Sequence, residues 1–189
     1  MIEITLARRE HVAQLVEITN KEALRSLATA SYSDEPLTRW LTQWDDEHER
    51  TPWLVALDPA LPLSERVVGY AKASPFNPRD GFAWSVSLSV YLRPTHRAQG
   101  LSARLYSQLF GLLRAQNYRK VHARIALPNP ASVALHERFG LTQVGLMPRF
   151  AWKFERWYDL AVLSADLYEG DEPPSPLLSV EEAWALTHP

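Results

Sequence analysis

Apolar and polar positions alternate at the start of the chain, where Ile2, Ile4 and Leu6 share one side, and this predicts a first strand. The period then changes. Val12, Leu15, Val16 and Thr19 recur at helical spacing with Gln14 and Glu17 between them, so an amphipathic helix follows. From Asn20 to Tyr32 neither period holds. Ser33, Asp34 and Pro36 read as a helix start, after which Leu37, Trp40, Leu41 and Trp44 fall on one core-directed face. Trp53 to Leu57 and Val67 to Ala73 read as strands, joined by DPALPLSER, a connection longer than a tight hairpin needs. SPFNPRDG breaks the chain before a long strand beginning at Phe82.

Successive side chains of a strand point to opposite faces, so Phe82, Trp84, Val86, Leu88, Val90 and Leu92 make an apolar face. Ala83, Ser85, Ser87, Ser89 and Tyr91 make a small, polar one. The next helix carries Leu101, Leu105, Leu109 and Leu112 on one stripe. Val121, Ala123, Ile125 and Leu127 alternate as another strand, which Pro128 ends. Asn129 before Pro130 is a helix-start signal and Gly140 a helix-end signal, so a short helix lies between them. Leu141 to Gly145 and Phe150 to Ala165 read as the last two strands. The second is dense in aromatics, which suits sheet packing, a pocket wall or an interface. Residues 1–168 are expected to form a single domain, and 169–189, rich in Pro and acid, a tail.

Composition narrows the classes. With 46% apolar and 22% charged residues, 189 residues suffice for one globular domain with a real core. A net charge of -2 gives no global field for nucleic acid, which leaves a local patch of Arg93, His96, Arg97 and Arg104 for any anion. There is no cysteine, and the six histidines show no ligand spacing, so no metal is expected. No apolar run is long enough for a membrane span and MIEITLARRE lacks a signal-peptide core, so the cytoplasm is the expected compartment.

The chemistry concentrates where the long strand meets its helix. A strand that delivers a small-residue turn to a helix start leaves backbone N–H groups pointing outward at the positive end of the helix dipole, which suits phosphate. Gly100 and Ser102 keep the turn small and Arg97 adds charge. No Lys-Ser/Thr pair follows the glycine and there is only one Gly, which excludes Walker A and G-x-G-x-x-G. What remains, R-x-x-G-x-S, resembles the Q/R-x-x-G-x-G/A pyrophosphate loop of the GNAT N-acetyltransferase superfamily. TASYSDEP, GYAKASPFNPRDGFAWSVSLSVYL, IALPNPASVALHERFGLTQVG and KFERWYDL resemble its phosphinothricin and methionine-sulfoximine acetyltransferase subgroup, in order, from about Ile2 to Leu167.

That resemblance implies a mixed α/β GNAT fold: a mostly antiparallel twisted sheet of about six or seven strands, splayed between the fourth and fifth, with helices on both faces. It implies a bulge near the end of the long strand and a slot for acetyl-CoA as cosubstrate. Backbone groups of Val90, Tyr91 and Leu92 would line the slot, with the N–H of Val90 or its neighbour polarising the thioester. Arg97, Ala98, Gln99 and Gly100 would hold pyrophosphate together with Leu101, Ser102 and Ala103. Asn129 is implied to contact the cofactor, beside its reading as a helix cap, and His136 to lie near the thiol. A loop and short helix over 20–32 would wall an acceptor pocket for a small amino-acid-like amine, with Tyr32 beside it; Lys72, Arg79, Arg149 and Lys153 are cations that could hold its carboxylate or phosphinate, each otherwise read as solvated surface charge. A homodimer is implied. The sequence departs from the subgroup in V-E-x-S/T-V-Y-V, where Ser87 stands for Glu, and in Lys-x-Gly-x-Trp-x-Asp, where Glu155-Arg156 replace small residues. Three accounts follow: the base has moved to His136, Tyr91 or Glu155; Ser87 orders a water chain; or the protein binds acyl-CoA without transfer.

Overall fold

The computed structural model describes residues 1–23, 25–29 and 31–188. Its strands are β1 (Glu3–Leu6), β2 (Trp53–Leu57), β3 (Val67–Pro75), β4 (Ser85–Leu92), β5 (Lys120–Ala126), β6 (Thr142–Lys153) and β7 (Arg156–Asp166). The helices are α1 (Val12–Ala23), α2 (Leu37–Glu47), α3 (Leu101–Ala115), α4 (Pro130–Arg138) and α5 (Val180–Thr187). The strands form one sheet of order β1-β2-β3-β4-β5-β7-β6, antiparallel except for the β4–β5 pair. Leu24 and Ala30, within the expected loop and short helix over 20–32, lie outside the described residues.

Each face of the sheet buries its own core. On one side the α3 stripe of Leu101, Leu105, Leu109 and Leu112, with Leu113 beside it, packs on Val86, Leu88, Val121, Ala123 and Ile125. Each such Val, Leu or Ile side chain contributes about 1.5–3 kcal/mol on burial. On the other side Val12, Leu15 and Ile18 of α1 and Trp40 and Trp44 of α2 cover Trp53 and Tyr70. Leu37, expected on that core face, is exposed, because it sits in the first turn of α2 before the helix reaches the sheet. Among the described residues no helix is long and apolar enough to cross a membrane.

Three expected boundaries are corrected. The long strand starts at Ser85, since Asp80–Phe82 close into a 3-10 turn and leave Phe82 exposed. The stretch expected as one strand, Phe150 to Ala165, is a hairpin whose tip is Phe154 and Glu155, with Lys153 paired to Arg156. Both tip residues have positive φ, 49° and 59°, as a two-residue type I′ turn demands. Neither is the Gly or Asn that would have announced it. The expected tail ends in α5, opened by a Ser179–Glu182 capping box and docked through Val180 and Ala183. Gln116, capping the end of α3, anchors its approach by donating to the Leu178 carbonyl at 2.9 Å.

A left-handed conformation costs an ordinary residue about 1–2 kcal/mol. Glu155→Gly removes that cost, part of which returns as entropy of the unfolded chain. Urea unfolding should show a gain of about 1 kcal/mol. An unchanged or lower stability would mean that the tip stores no strain.

Candidate functional site

β4 and β5 are paired only at Ser85–Lys120, Val86–Val121 and Ser87–His122. Past that point they part and open a cavity of about 560 Å³. On its other edge β4 keeps an unbroken ladder to β3, from Val86–Pro75 to Leu92–Gly69. The expected bulge is therefore absent: the slot opens because β5 leaves, not because β4 bends. Arg93 N–H bonds the Val68 carbonyl at 2.8 Å and the Ser85 carbonyl accepts from Phe76 N–H at 3.1 Å. Backbone groups alternate sides along a strand, so those of Leu88, Val90 and Leu92 turn to the open edge. Val90 thus offers its N–H and C=O to whatever lies in the slot, as an added strand would require.

The mouth of the slot is the turn into α3. Ala98 and Gly100 both have positive φ, 58° and 73°, and the first ladder bond of the helix runs from Arg104 N–H to Gly100 C=O at 3.1 Å. The N–H groups of Leu101, Ser102 and Ala103 precede that ladder and sit at the helix's positive end. A Cβ on Gly100 would meet nothing within 4 Å, so conformation, not crowding, calls for glycine here. The cationic patch is largely spent on the protein itself. Arg93 pairs with Glu17 at 3.2 Å, Arg104 donates to the Ile2 carbonyl at 3.0 Å, and His96 lies 3.5 Å from Asp58. Arg97 donates to the Leu92 carbonyl at 3.2 Å, which ties the turn to the end of β4. Gln99 donates to the Thr95 carbonyl at 3.1 Å. An anion here would be met mainly by backbone N–H groups.

At the far wall, Asn129 caps α4 by accepting from Ser132 N–H at 3.2 Å, and it also lines the cavity. His136 is buried two turns on. Its Nδ1 lies 2.7 Å from the Ser132 carbonyl, which can only accept, so Nδ1 carries the hydrogen and Nε2 accepts from the Tyr106 hydroxyl at 2.9 Å. Burial holds the His136 imidazole below its usual pKa and the Tyr106 phenol above its own. Tyr106 faces the cavity beside His136. Its place beside the apolar stripe of α3, where core packing is expected, gives no hint of this bond.

The remaining expected residues divide. Val90, Tyr91, Leu92, Arg97, Ala98, Ser102, Asn129 and His136 line one cavity. Ser87 stands just below its closed end. Tyr91 donates to the Ala28 carbonyl at 2.7 Å, and Lys153, buried rather than solvated, donates to the carbonyls of Ser26 and Thr29 at 2.8 and 2.7 Å. Together they hold the 26–29 segment against the slot. The Tyr32 hydroxyl donates to the Trp152 carbonyl. Arg79 lies exposed at the start of the 3-10 turn, outside the cavity lining, and Glu155 is at the hairpin tip. Among the described residues no group of three or more His, Asp or Glu could hold a metal ion.

Comparison with known proteins agrees with this geometry. A family model described as an acetyltransferase (GNAT) domain matches residues 4–162. The phosphinothricin N-acetyltransferase of Streptomyces viridochromogenes is 32% identical over 183 residues, 96% of each chain. The L-methionine sulfoximine/L-methionine sulfone acetyltransferase of Pseudomonas aeruginosa is 37% identical over 142 residues, covering 74% of this chain and 80% of its own. The crystal structure of a GNAT superfamily phosphinothricin acetyltransferase from Sinorhizobium meliloti, in complex with acetyl-CoA, superposes with a TM-score of 0.82 at 30% identity. It covers 92% of this chain and 93% of its own.

Proposed function

Because the chain belongs to the GNAT acetyltransferase family, we propose that it moves acetyl from acetyl-CoA to the amine of a small amino-acid-like substrate of the phosphinothricin or methionine-sulfoximine kind. The observation that carries this reading is the parting of β4 and β5 just above a left-handed turn at a helix start. Pantetheine would pair with Val90 while pyrophosphate lies on the N–H groups of Leu101 to Ala103. Acetyl-CoA supplies an activated acyl group on a thiol leaving group. The chain's own part is to orient it, to polarise its carbonyl with the Val90 N–H, and to take a proton from the amine. Tyr106, hydrogen-bonded to His136, is a buried O–H at the wall for protonating the departing sulfur.

The acceptor class rests on the relatives' activities and on the 26–29 segment that Lys153 and Tyr91 hold over the slot. Release of free thiol from acetyl-CoA in the presence of phosphinothricin, methionine sulfoximine, methionine sulfone and unmodified amino acids tests it. Turnover with the first three is expected. Ser87 in place of Glu favours the second reading, an acyl-CoA-binding protein of the same fold, and that reading replaces the first if acetyl-CoA binds while no amine is acetylated. A cytoplasmic location goes with the use of acetyl-CoA.

A homodimer is part of the proposal. Phe150, Trp152, Phe154 and Trp157 stay about half exposed on the β6–β7 hairpin, at the edge of the sheet, and Val144 and Leu146 extend that apolar surface. Such a patch on a sheet edge invites a partner, and a second copy would cover both patches by one symmetric contact. Wild type should sediment as a dimer and Trp157→Glu as a monomer. A monomeric wild type at micromolar concentration overturns this.

A further inference from the structure

The family's carboxylate position is Ser87, whose hydroxyl has no hydrogen-bond partner among the described residues. Its in-register neighbour across the parallel pair is His122, and these two are the last paired residues before the strands separate. Adjacent strands lie about 5 Å apart. Val121, Ala123 and Ile125 point into the α3 core, so His122 points to the opposite face. That is the face of Tyr91, whose ring stacks on Tyr70 in the α1–α2 layer. The imidazole lies 4.5 Å from the Phe76 ring, with Phe82 5.6 Å further on, and both phenyl rings are partly open to solvent. Neither ring nitrogen of His122 is hydrogen-bonded among the described residues. The other groups considered for the base are engaged or remote: His136 uses both nitrogens, Tyr91 donates to Ala28, and Glu155 sits at the hairpin tip.

We infer that His122 is the general base of the transfer, standing in from the next strand for the carboxylate that Ser87 lacks. This rests on the acetyltransferase reading. The groups that face the imidazole are Ser85 and Ser87 on β4, Phe76 just past the end of β3, Ser164 on β7, and Lys120 and Arg124 on β5 itself. Burial holds its pKa below the usual 6.5, Lys120 adds to that shift, and Asp166, itself paired with Lys120 at 2.8 Å, opposes it. At neutral pH the ring therefore carries a free electron pair. An α-ammonium reaching this face gives one proton to His122, leaving an amine and an imidazolium. The amine nitrogen uses the freed pair to form the C–N bond to the acetyl carbon as the C–S bond breaks. The sulfur keeps the bonding pair and takes the Tyr106 hydroxyl proton, the second nitrogen proton restores that hydroxyl, and the imidazolium returns its proton to water.

The test uses the full chain with His122→Val, a residue suited to a strand, and His122→Gln. Both should lose about 10²- to 10⁴-fold in kcat while keeping the rise in melting temperature with acetyl-CoA. The acid limb of kcat/KM, set in wild type by the His122 imidazole, should vanish with them. Ser87→Glu added to His122→Val should recover most of the loss, since it restores a base at the neighbouring position. In NMR, the imidazole resonance missing from His122→Val should titrate below 6.5 in wild type and move when acetyl-CoA is added. Wild-type turnover in His122→Val, an unchanged acid limb, or an imidazole indifferent to acetyl-CoA each overturns the assignment and leaves the family reaction standing. A wild type that binds acetyl-CoA and acetylates no amine overturns the reaction and the base together.

Discussion

Saturating acetyl-CoA should raise the melting temperature of the wild-type protein and leave that of Gly100→Glu where it was. A ligand that binds only the folded state adds about 2.7 kcal/mol at a hundred times its Kd. For a chain of this size that is roughly 5–10 °C. Glutamate at position 100 sets a negative charge beside the N–H groups of Leu101 to Ala103, where nothing now lies within 4 Å of a Cβ, and so occupies the space of the pyrophosphate. It also forces a side chain onto a φ of 73°, which costs stability by itself. The comparison is therefore between shifts, not between melting temperatures. Gly100→Asn separates the two effects, because Asn tolerates the left-handed region and brings no charge; it should keep most of the shift. If Gly100→Glu responds to acetyl-CoA as wild type does, the turn is not the phosphate site.

Lys72→Met should make the protein more stable at pH 7, by about 1–3 kcal/mol. The Lys72 ammonium is buried between the rings of Trp53 and Trp40, 4.0 and 4.4 Å from their centroids, and donates to Gln43 Oε1 at 2.8 Å. Burial lowers its pKa from the usual 10.5 to about 8. Two indole faces recover about 0.5–2 kcal/mol each at most, and the Gln43 bond and the charge of Glu47 add to that, yet burial outweighs them, as the lowered pKa shows. The sign follows from proton counting. Between about pH 8 and 10.5 the unfolded chain holds a proton on this lysine that the folded chain has released, so stability rises with pH across that window. Below 8 the whole penalty applies, and above 10.5 it is gone. Unfolding of wild type and Lys72→Met by urea from pH 7 to 10.5 should show the gap between them closing as pH rises. A constant gap would place the ammonium in water.

Signals that act over a few residues were legible before any coordinates. The strand–turn–helix around Gly100, the Asn129 cap, the apolar stripe of α3 and the alternation along β4 are all local, because backbone preference and side-chain direction repeat with short periods. The resemblance of ordered segments supplied the mixed α/β fold and the splayed strand pair. The Ser179–Glu182 capping box was also present in the sequence, but the prolines before it masked a docked helix. What lay beyond reach depends on which strands pair and in what register. Phe154 and Glu155 make a hairpin tip only because β6 returns alongside β7, against their own conformational preference. Lys72 and Lys153 look like surface cations until α2 and the 26–29 segment close over them. Alternation set His122 on the polar side of its strand, yet only the β4–β5 register puts it beside Ser87. Local pattern carried most strands and helices and the small-residue turn before α3, and the resemblance carried the Ser87 position; only the β4–β5 register shows that His122 stands beside Ser87, because cross-strand neighbours are separated along the chain by a helix and leave no periodic trace in it.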